Sequence, residues 1–108
     1  MEMDLDDYID KLLPWDFKLT HKKKKYPTIA PTLGDIISLG SLEAKDPASL
    51  VKFRAYVKGL IVQPPPDFDA WPDALVMLVF KKIGEHYKDF HSKNAERLGL
   101  VPAQAKTR

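Results

Sequence analysis

The sequence contains no cysteine, and this absence excludes several kinds of site at once. Without a thiol the chain has no disulfide framework, no cysteine-ligated zinc and no thiol nucleophile. The absence of disulfides fits a reducing compartment. We therefore expect a cytoplasmic protein whose fold depends on noncovalent packing alone.

Glycine and histidine are scarce, with five glycines and three histidines. The glycines stand apart from one another, so they form no phosphate-binding loop, dinucleotide fingerprint or nucleophile elbow. His86 and His91 are separated by five positions, which on a helix places them on different faces rather than around one metal ion. We expect His86 to line the edge of the core. The sequence thus predicts no catalytic residues, no metal, no cofactor and no enzymatic activity.

Long apolar runs are missing as well. The longest, Ala74 to Phe80, is much shorter than the roughly 20 residues of a membrane-spanning helix. The N-terminal segment MEMDLDDYID is acidic where a secretory signal would be basic and then apolar. We therefore expect a soluble protein without a membrane partner.

The chain as a whole carries little charge of one sign, because its formal net charge is only +2 at pH 7. This small value argues against a nucleic-acid partner. The charges are nevertheless separated along the sequence. Residues 1–17 hold six acids and one lysine, a net of −5, and residues 18–25 hold five lysines, a net of +5. These two blocks would neutralise each other if they folded together.

The sequence does have apolar residues at helical spacing. Its length of 108 residues is typical of one domain with one core. The N-terminal stripe predicts an acidic amphipathic helix over residues 4–13 that Pro14 ends. Thr32 is followed three positions later by an acid, an approximate capping box. We therefore predict a second helix from about Leu33 to Ala44.

Between these two helices, residues 16–30 alternate apolar and polar side chains, which predicts a short β-hairpin. Pro27 and Pro31 restrict its second strand to an edge. Lys22–Lys25 then lie at or near the connection, where solvated charge discourages edge pairing. A solvated turn is our preferred interpretation of these lysines, and a nucleic-acid contact or a nuclear-targeting signal is the alternative.

Asp46 and Pro47 predict the N-cap and first turn of another helix. This helix should end at Gln63, because the three prolines Pro64–Pro66 cannot continue it. We expect the triplet to form a stiff extended spacer, with docking into an aromatic groove of another protein as the alternative.

The strongest helical pattern begins near Trp71 and Pro72. Its apolar run would also suit a buried strand, but the proline start and the long continuation favour a helix. A further turn or helix should run to Leu98, with Gly99 as the C-cap and Pro102 as a stop. The predicted apolar face consists of Leu75, Leu78, Val79, Ile83, His86 and Tyr87, widened by Met77 and Phe80.

These patterns together predict a mainly α fold of four to five helices with a short N-terminal β-hairpin. We predict one domain over residues 1–101, with a helical body at 32–98 and a tail at 102–108. Trp15 and Trp71 adjoin prolines at element boundaries, and we expect both to pack as lids on the core, with anchoring of a partner as the alternative.

The helical stripes are wide for so short a chain. A helix that is apolar on all sides is either the central helix of the fold or has an apolar face that remains free to contact another protein. We expect the following residues to supply both core and partner contacts: Phe53, Val57, Trp71, Leu75, Leu78, Val79 and Ile83.

Four motifs follow one another along about residues 17–87. They are the hairpin DFKLTHKKKKYPTIA, the helix start PTLGDII, the helix end GLIVQPPPDFDAWP and the apolar helix ALVMLVFKKIGEHY. In this order they resemble the tail assembly chaperones of long-tailed bacteriophages. The acidic N-terminal helix has no counterpart in that family.

The resemblance implies a small, mostly helical, non-catalytic protein of the host cytoplasm that coats the tape-measure protein during tail morphogenesis and keeps it soluble. It also implies a longer product, made by translational frameshift, that recruits tail-tube subunits. The oligomeric state, including a homo-oligomer, stays open.

A second hypothesis belongs to a different class. The chain would be a small phage or host inhibitor or adaptor that binds a nucleic-acid-handling protein. Its acidic N-terminal helix, with Asp4, Asp6, Asp7 and Asp10, would imitate phosphates. Direct binding of nucleic acid through Lys22–Lys25 is a third reading, and it would weaken steeply with salt.

Overall fold

The computed structural model describes residues 2–40 and 46–101, and these residues confirm a mainly α fold with a short hairpin. Capped helices and one tight turn organise the chain. In chain order the elements are α1 (Leu5–Ile9), β1 (Lys18–His21), β2 (Lys24–Pro27), α2 (Leu33–Gly40), α3 (Pro47–Leu60), a 3₁₀ turn (Phe68–Ala70) and α4 (Asp73–Arg97). None of the helices within this part of the chain combines the length and the hydropathy that crossing a membrane requires.

The core lies where α3 packs against α4, and the hairpin and the 3₁₀ turn close it. Val57 of α3 and Ile83 of α4 are almost completely buried, and each burial contributes roughly 1.5–3 kcal/mol. The buried cluster comprises Tyr26, Val57, Leu60, Ile61, Phe68, Trp71, Val76, Val79 and Ile83. Trp71 lies in it, and Trp15 packs against its edge, as expected of lids on the core.

The start of α3 agrees with the prediction, and its end does not. The Asp46 carboxylate accepts a hydrogen bond from the amide of Ala48, and a proline occupies the first turn. The helix ends at Leu60, before Gln63, because the backbone that follows pairs with the hairpin instead. Ile61 forms a β-bridge with Thr28 in place of another helical turn.

The predicted hairpin is confirmed, with its connection at Lys22 and Lys23. Both residues have positive φ angles, 53° and 67°, as a two-residue type I′ turn requires. The antiparallel register places Leu19 opposite Tyr26. Since these two side chains share one face, the hairpin covers the core with that face, and Lys18 and Lys25 lie exposed on the opposite face.

The last helix is confirmed as a helix, and its predicted face is correct at Val79 and Ile83 but wrong at Leu75 and Leu78. Val76, Val79 and Ile83 face the core, whereas Leu75 and Leu78 are 39% and 49% exposed. An apolar run that covers the whole helix circumference contains no signal for its rotation. Contacts with α3 set that rotation.

The C-terminus of α4 forms a Schellman motif around Gly99, whose φ is +77°. The amide of Leu100 donates to the carbonyl of Ala95, and the amide of Gly99 donates to that of Glu96. The predicted C-cap is therefore confirmed. The predicted stop at Pro102 and the predicted tail at 102–108 lie outside the described residues.

The N-terminal helix is shorter than predicted, because α1 ends at Ile9 rather than near residue 13. Pro14 disfavours helical geometry in the residue before it. The amide of that residue, Leu13, donates instead to the Asn94 Oδ1 at 2.7 Å. Helix α1 buries none of its residues, so little packing opposes this early end.

The second predicted helix is confirmed as far as the structure describes it. The Thr32 hydroxyl accepts from the amide of Asp35, as the capping motif predicts. Residues 41–44 of the predicted helix lie outside the described residues. Helix α2 buries no side chain, so it lies at the surface of the fold.

The proline triplet leads into a 3₁₀ turn that the sequence analysis missed. Phe68 of this turn is buried, and Arg54 of α3 fixes the turn from the side. Its guanidinium donates to the carbonyls of Phe68 and Trp71 and to the Asp73 carboxylate at the start of α4. Arg54 thereby connects three elements.

Candidate functional site

The structure divides the seven residues predicted for core and partner contact into two groups. Five of them are buried in the core and hold the fold: Phe53, Val57, Trp71, Val79 and Ile83. Leu75 and Leu78 point outward from α4 and remain available to another protein.

Leu78 lies at a shallow groove between α3 and α4, near the end of α2. We call this surface the α4 groove. Its volume is about 420 Å³, and its lining is mainly apolar. Phe53 and Phe80 lie in it with their rings edge to face, 5.2 Å between centroids. The lining residues are Gly40, Phe53, Ala74, Met77, Leu78, Phe80 and Lys81.

Helix α2, which ends at this groove, adds further exposed aliphatic side chains. Leu33 and Ile37 lie four positions apart on this helix, and they are 50% and 63% exposed. The α4 groove therefore adjoins a helix with two aliphatic side chains that the described chain leaves exposed.

A second apolar groove lies between the two ends of the described chain, and we call it the terminal groove. Its volume is about 440 Å³. The N-terminal wall is tied to α4 by Arg97, whose guanidinium donates to the carbonyl of Lys11 at 3.2 Å. The lining residues are Met3, Leu5, Tyr8, Ile9, Leu12, Leu98 and Leu100.

The acids of the N-terminal segment are exposed beside the terminal groove. Asp4 caps α1 by accepting from the amide of Asp6 at 3.0 Å. Within the described residues, Asp6, Asp7 and Asp10 form no ion pair, and none joins the acidic block to the lysine block. The two blocks thus do not neutralise each other by direct contact there.

The lysine tip, Lys22–Lys25, is solvated, and two of its lysines have local partners. Lys22 approaches the Asp67 carboxylate at 3.8 Å, and the Lys24 ammonium lies over the ring of Tyr26 at 5.3 Å. The Tyr26 ring is itself buried, so it offers no open face on which a base could stack. These contacts favour the solvated-turn interpretation.

His21 and Asp67 form a hydrogen bond beside the turn of the hairpin, with 3.0 Å between Nε2 and Oδ2. This hydrogen bond holds the pKa of Asp67 below its usual range, and the Lys22 charge adds to the effect. The His21 ring also meets Trp71 edge-on at 5.5 Å. The pair joins the hairpin to the segment before the 3₁₀ turn.

His86 lies at the edge of the core, as expected. Its ring meets Trp15 edge-on at 4.9 Å, and its Nε2 is 3.4 Å from the Asp16 carboxylate. The Trp15 indole donates to the hydroxyl of Thr28, which donates to the carbonyl of Phe17. Nowhere in residues 2–40 or 46–101 do three metal-binding side chains converge.

Tyr56 of α3 is the other group with a perturbed pKa. Burial, with the nearby Asp35 carboxylate adding to it, raises the pKa of Tyr56 to about 12. No hydrogen bond of good geometry satisfies its buried hydroxyl within the described residues. A neutral phenol of this kind is a poor acid or base near pH 7.

A further hollow of about 500 Å³ lies beside α3 and contains both Lys58 and Arg54. These cations are already paired, Lys58 with Asp69 at 3.1 Å and Arg54 with Asp73 at 2.7 Å. A charged ligand would have to displace these pairs, so this hollow is a weaker candidate than the two apolar grooves.

No pattern in the sequence predicted the terminal groove. Its side chains come from both ends of the described chain, and no periodicity rule shows that these ends meet. The only available signal was the apolar stripe of the N-terminal segment. Comparison with protein families, with curated proteins and with solved structures gives no match for this chain.

Proposed function

We propose that this chain is a non-catalytic binding protein that holds a helix of another protein in the α4 groove. We further propose that it acts as a tail assembly chaperone of a long-tailed phage, which coats the tape-measure protein and keeps it soluble. The order of sequence motifs supports the second part of this proposal, and the exposed apolar surface supports the first.

The observation that carries the proposal is the exposure of Leu78 at the α4 groove, with Leu33 and Ile37 exposed on the adjoining helix. Burying a few hundred Å² of such surface at about 25 cal/mol per Å² gives several kcal/mol of driving force. Part of that gain offsets the cost of association. The remainder suits reversible capture, which a chaperone needs.

The chemistry of the groove also indicates the kind of partner. Aromatic rings and Met77 line it, and methionine adapts to several partner shapes. Open apolar grooves accept the apolar face of an amphipathic helix, through side chains three and four residues apart. A long, aggregation-prone helical protein offers many such faces in succession.

Co-expression tests this proposal. The chain should keep a tape-measure-type helix in the soluble fraction, and Leu78→Asp should return most of that helix to the pellet, because a carboxylate in an apolar contact is costly. Val51→Asp is the matched control, since Val51 is an exposed aliphatic residue of α3 outside the α4 groove. If the tape-measure-type helix precipitates equally with and without this chain, the proposal is wrong.

The second candidate function is an adaptor or inhibitor that binds a nucleic-acid-handling protein. It is favoured by the exposed carboxylates Asp6, Asp7 and Asp10, which pair with no cation in the described chain. Reversing these three charges should abolish such binding, and salt should weaken it steeply. The apolar contact of the first proposal should respond only weakly to salt.

A further inference from the structure

The terminal groove is a second apolar surface, separate from the α4 groove. Its outermost side chains are largely accessible, with Met3 at 63% and Leu100 at 72%. Two hydrogen bonds join its walls: the amide of Leu13 donates to the Asn94 Oδ1, and the Arg97 guanidinium donates to the carbonyl of Lys11. These bonds hold the two walls together, and within the described residues the aliphatic lining is open.

The charge around the terminal groove restricts what can cover it. Residues 2–12, which form one wall, carry five carboxylates and one lysine, a net of −4. The other wall is the C-terminus of α4, where Arg97 in the last turn offsets the negative end of the helix dipole. An approaching cation is attracted by the N-terminal wall, and an approaching anion is repelled by it.

This charge argues against two other occupants. A second copy that docked through the same surface would bring two acidic walls together, and their like charges would oppose association. An anionic lipid surface would be repelled for the same reason. The lysine tip of another copy matches the charge but has no aliphatic side chains to fill the groove.

We infer that the terminal groove binds a basic amphipathic helix of another protein. Aliphatic side chains of that helix contact Leu5, Ile9 and Leu98, and its lysines or arginines face the carboxylates of the N-terminal segment. Burial of the apolar side chains provides the affinity, and charge complementarity determines which partner binds. The inference is independent of the proposed function, because the two grooves share no lining residue.

Two designed peptides test this inference with the full chain. One is an amphipathic leucine and lysine helix of about 18 residues, long enough for five turns. The other has glutamate at every lysine position. We expect the lysine peptide to bind and the glutamate peptide to fail, and we expect affinity for the lysine peptide to fall as salt rises from about 0.05 M to about 0.5 M.

Variants separate the apolar contact from the charges. Ile9→Ser should weaken binding of the lysine peptide by about tenfold or more, because it removes an aliphatic contact. Replacing Asp6, Asp7 and Asp10 by asparagine should weaken binding and flatten its salt dependence. Leu78→Asp should leave the affinity unchanged. Ile9 is exposed, so circular dichroism should show all these chains folded.

Several results would overturn the inference. Equal binding of both peptides would show that charge plays no part, and unchanged binding by Ile9→Ser would show that the peptide only coats the acidic surface. If the peptide fails and sedimentation shows a dimer that Ile9→Ser dissociates, a second copy fills the groove. If the peptide fails and nuclear Overhauser contacts join residues 102–108 to Leu5, the chain's own end fills it.

Discussion

Lys22 and Lys23 adopt left-handed backbone angles that side chains with a Cβ disfavour. Type I′ turns prefer asparagine followed by glycine, for which these angles cost little. We predict that Lys22→Asn combined with Lys23→Gly raises the free energy of unfolding by about 1–2 kcal/mol. Urea denaturation measures this change.

The matched control for the turn is Lys18→Gln with Lys25→Gln, which removes the same charge from exposed positions of the two strands. This control should change stability by less than about 0.5 kcal/mol. If it stabilises as much as the turn variant does, relief of charge repulsion rather than backbone strain is the cause.

Asp67 provides a second test at the scale of one residue. The hydrogen bond from His21 lowers the pKa of Asp67 below 3.8, so the ionised carboxylate stabilises the fold above about that pH. This contribution is lost as the pH falls through the lowered pKa. His21→Ala should return the pKa of Asp67 toward 3.8, as carboxyl-carbon NMR titration would show. His91→Ala should leave it unchanged, and an unchanged pKa in His21→Ala would contradict the account.

Tyr56 gives a test at high pH. Burial raises the pKa of Tyr56 to about 12 from its usual 10.0, so the unfolded chain loses the phenolic proton first. Stability should therefore decline as the pH rises from about 10 and lose this contribution by about 12. Tyrosinate absorbance should show a late step that Tyr56→Phe removes and Tyr8→Phe retains. A late step that survives Tyr56→Phe would assign it to another residue.

At the scale of elements, Arg54 connects α3, the 3₁₀ turn and the start of α4 through three hydrogen bonds. Arg54→Met keeps much of the aliphatic stem but leaves two carbonyls without this donor. We predict a loss of about 2–3 kcal/mol in the free energy of unfolding. Lys52→Met, at an exposed position of the same helix, should cost less than about 0.5 kcal/mol. Equal losses would mean that Arg54 does not join these elements.

Local signals in the sequence were enough to predict most elements. The caps at Thr32 and Asp46 and the stop at Gly99 lie within a few residues of the groups they satisfy. Features that depend on distant contacts were not predicted. The contact of the N-terminal segment with α4 depends on Asn94, and the rotation of α4 depends on its packing against α3.

At the scale of the whole molecule, the candidate site likewise depends on distant contacts that local signals in the sequence do not show. An apolar surplus was visible in the sequence, but its division between core and surface was not. Leu75 and Leu78 share the run with Val76 and Val79, and only packing decides which pair is buried. The terminal groove needs both ends of the described chain together, so it appears only in three dimensions.

The central claim is that exposed aliphatic surface at the α4 groove binds another helix. Methyl NMR of the folded chain during titration with a tape-measure-type helix tests this claim most directly. The account predicts that the methyl signals of Met77 and Leu78 shift with the partner while that of Val51 stays in place. Shifts confined to Val51, or no methyl shift at a concentration that solubilises the partner, would contradict it.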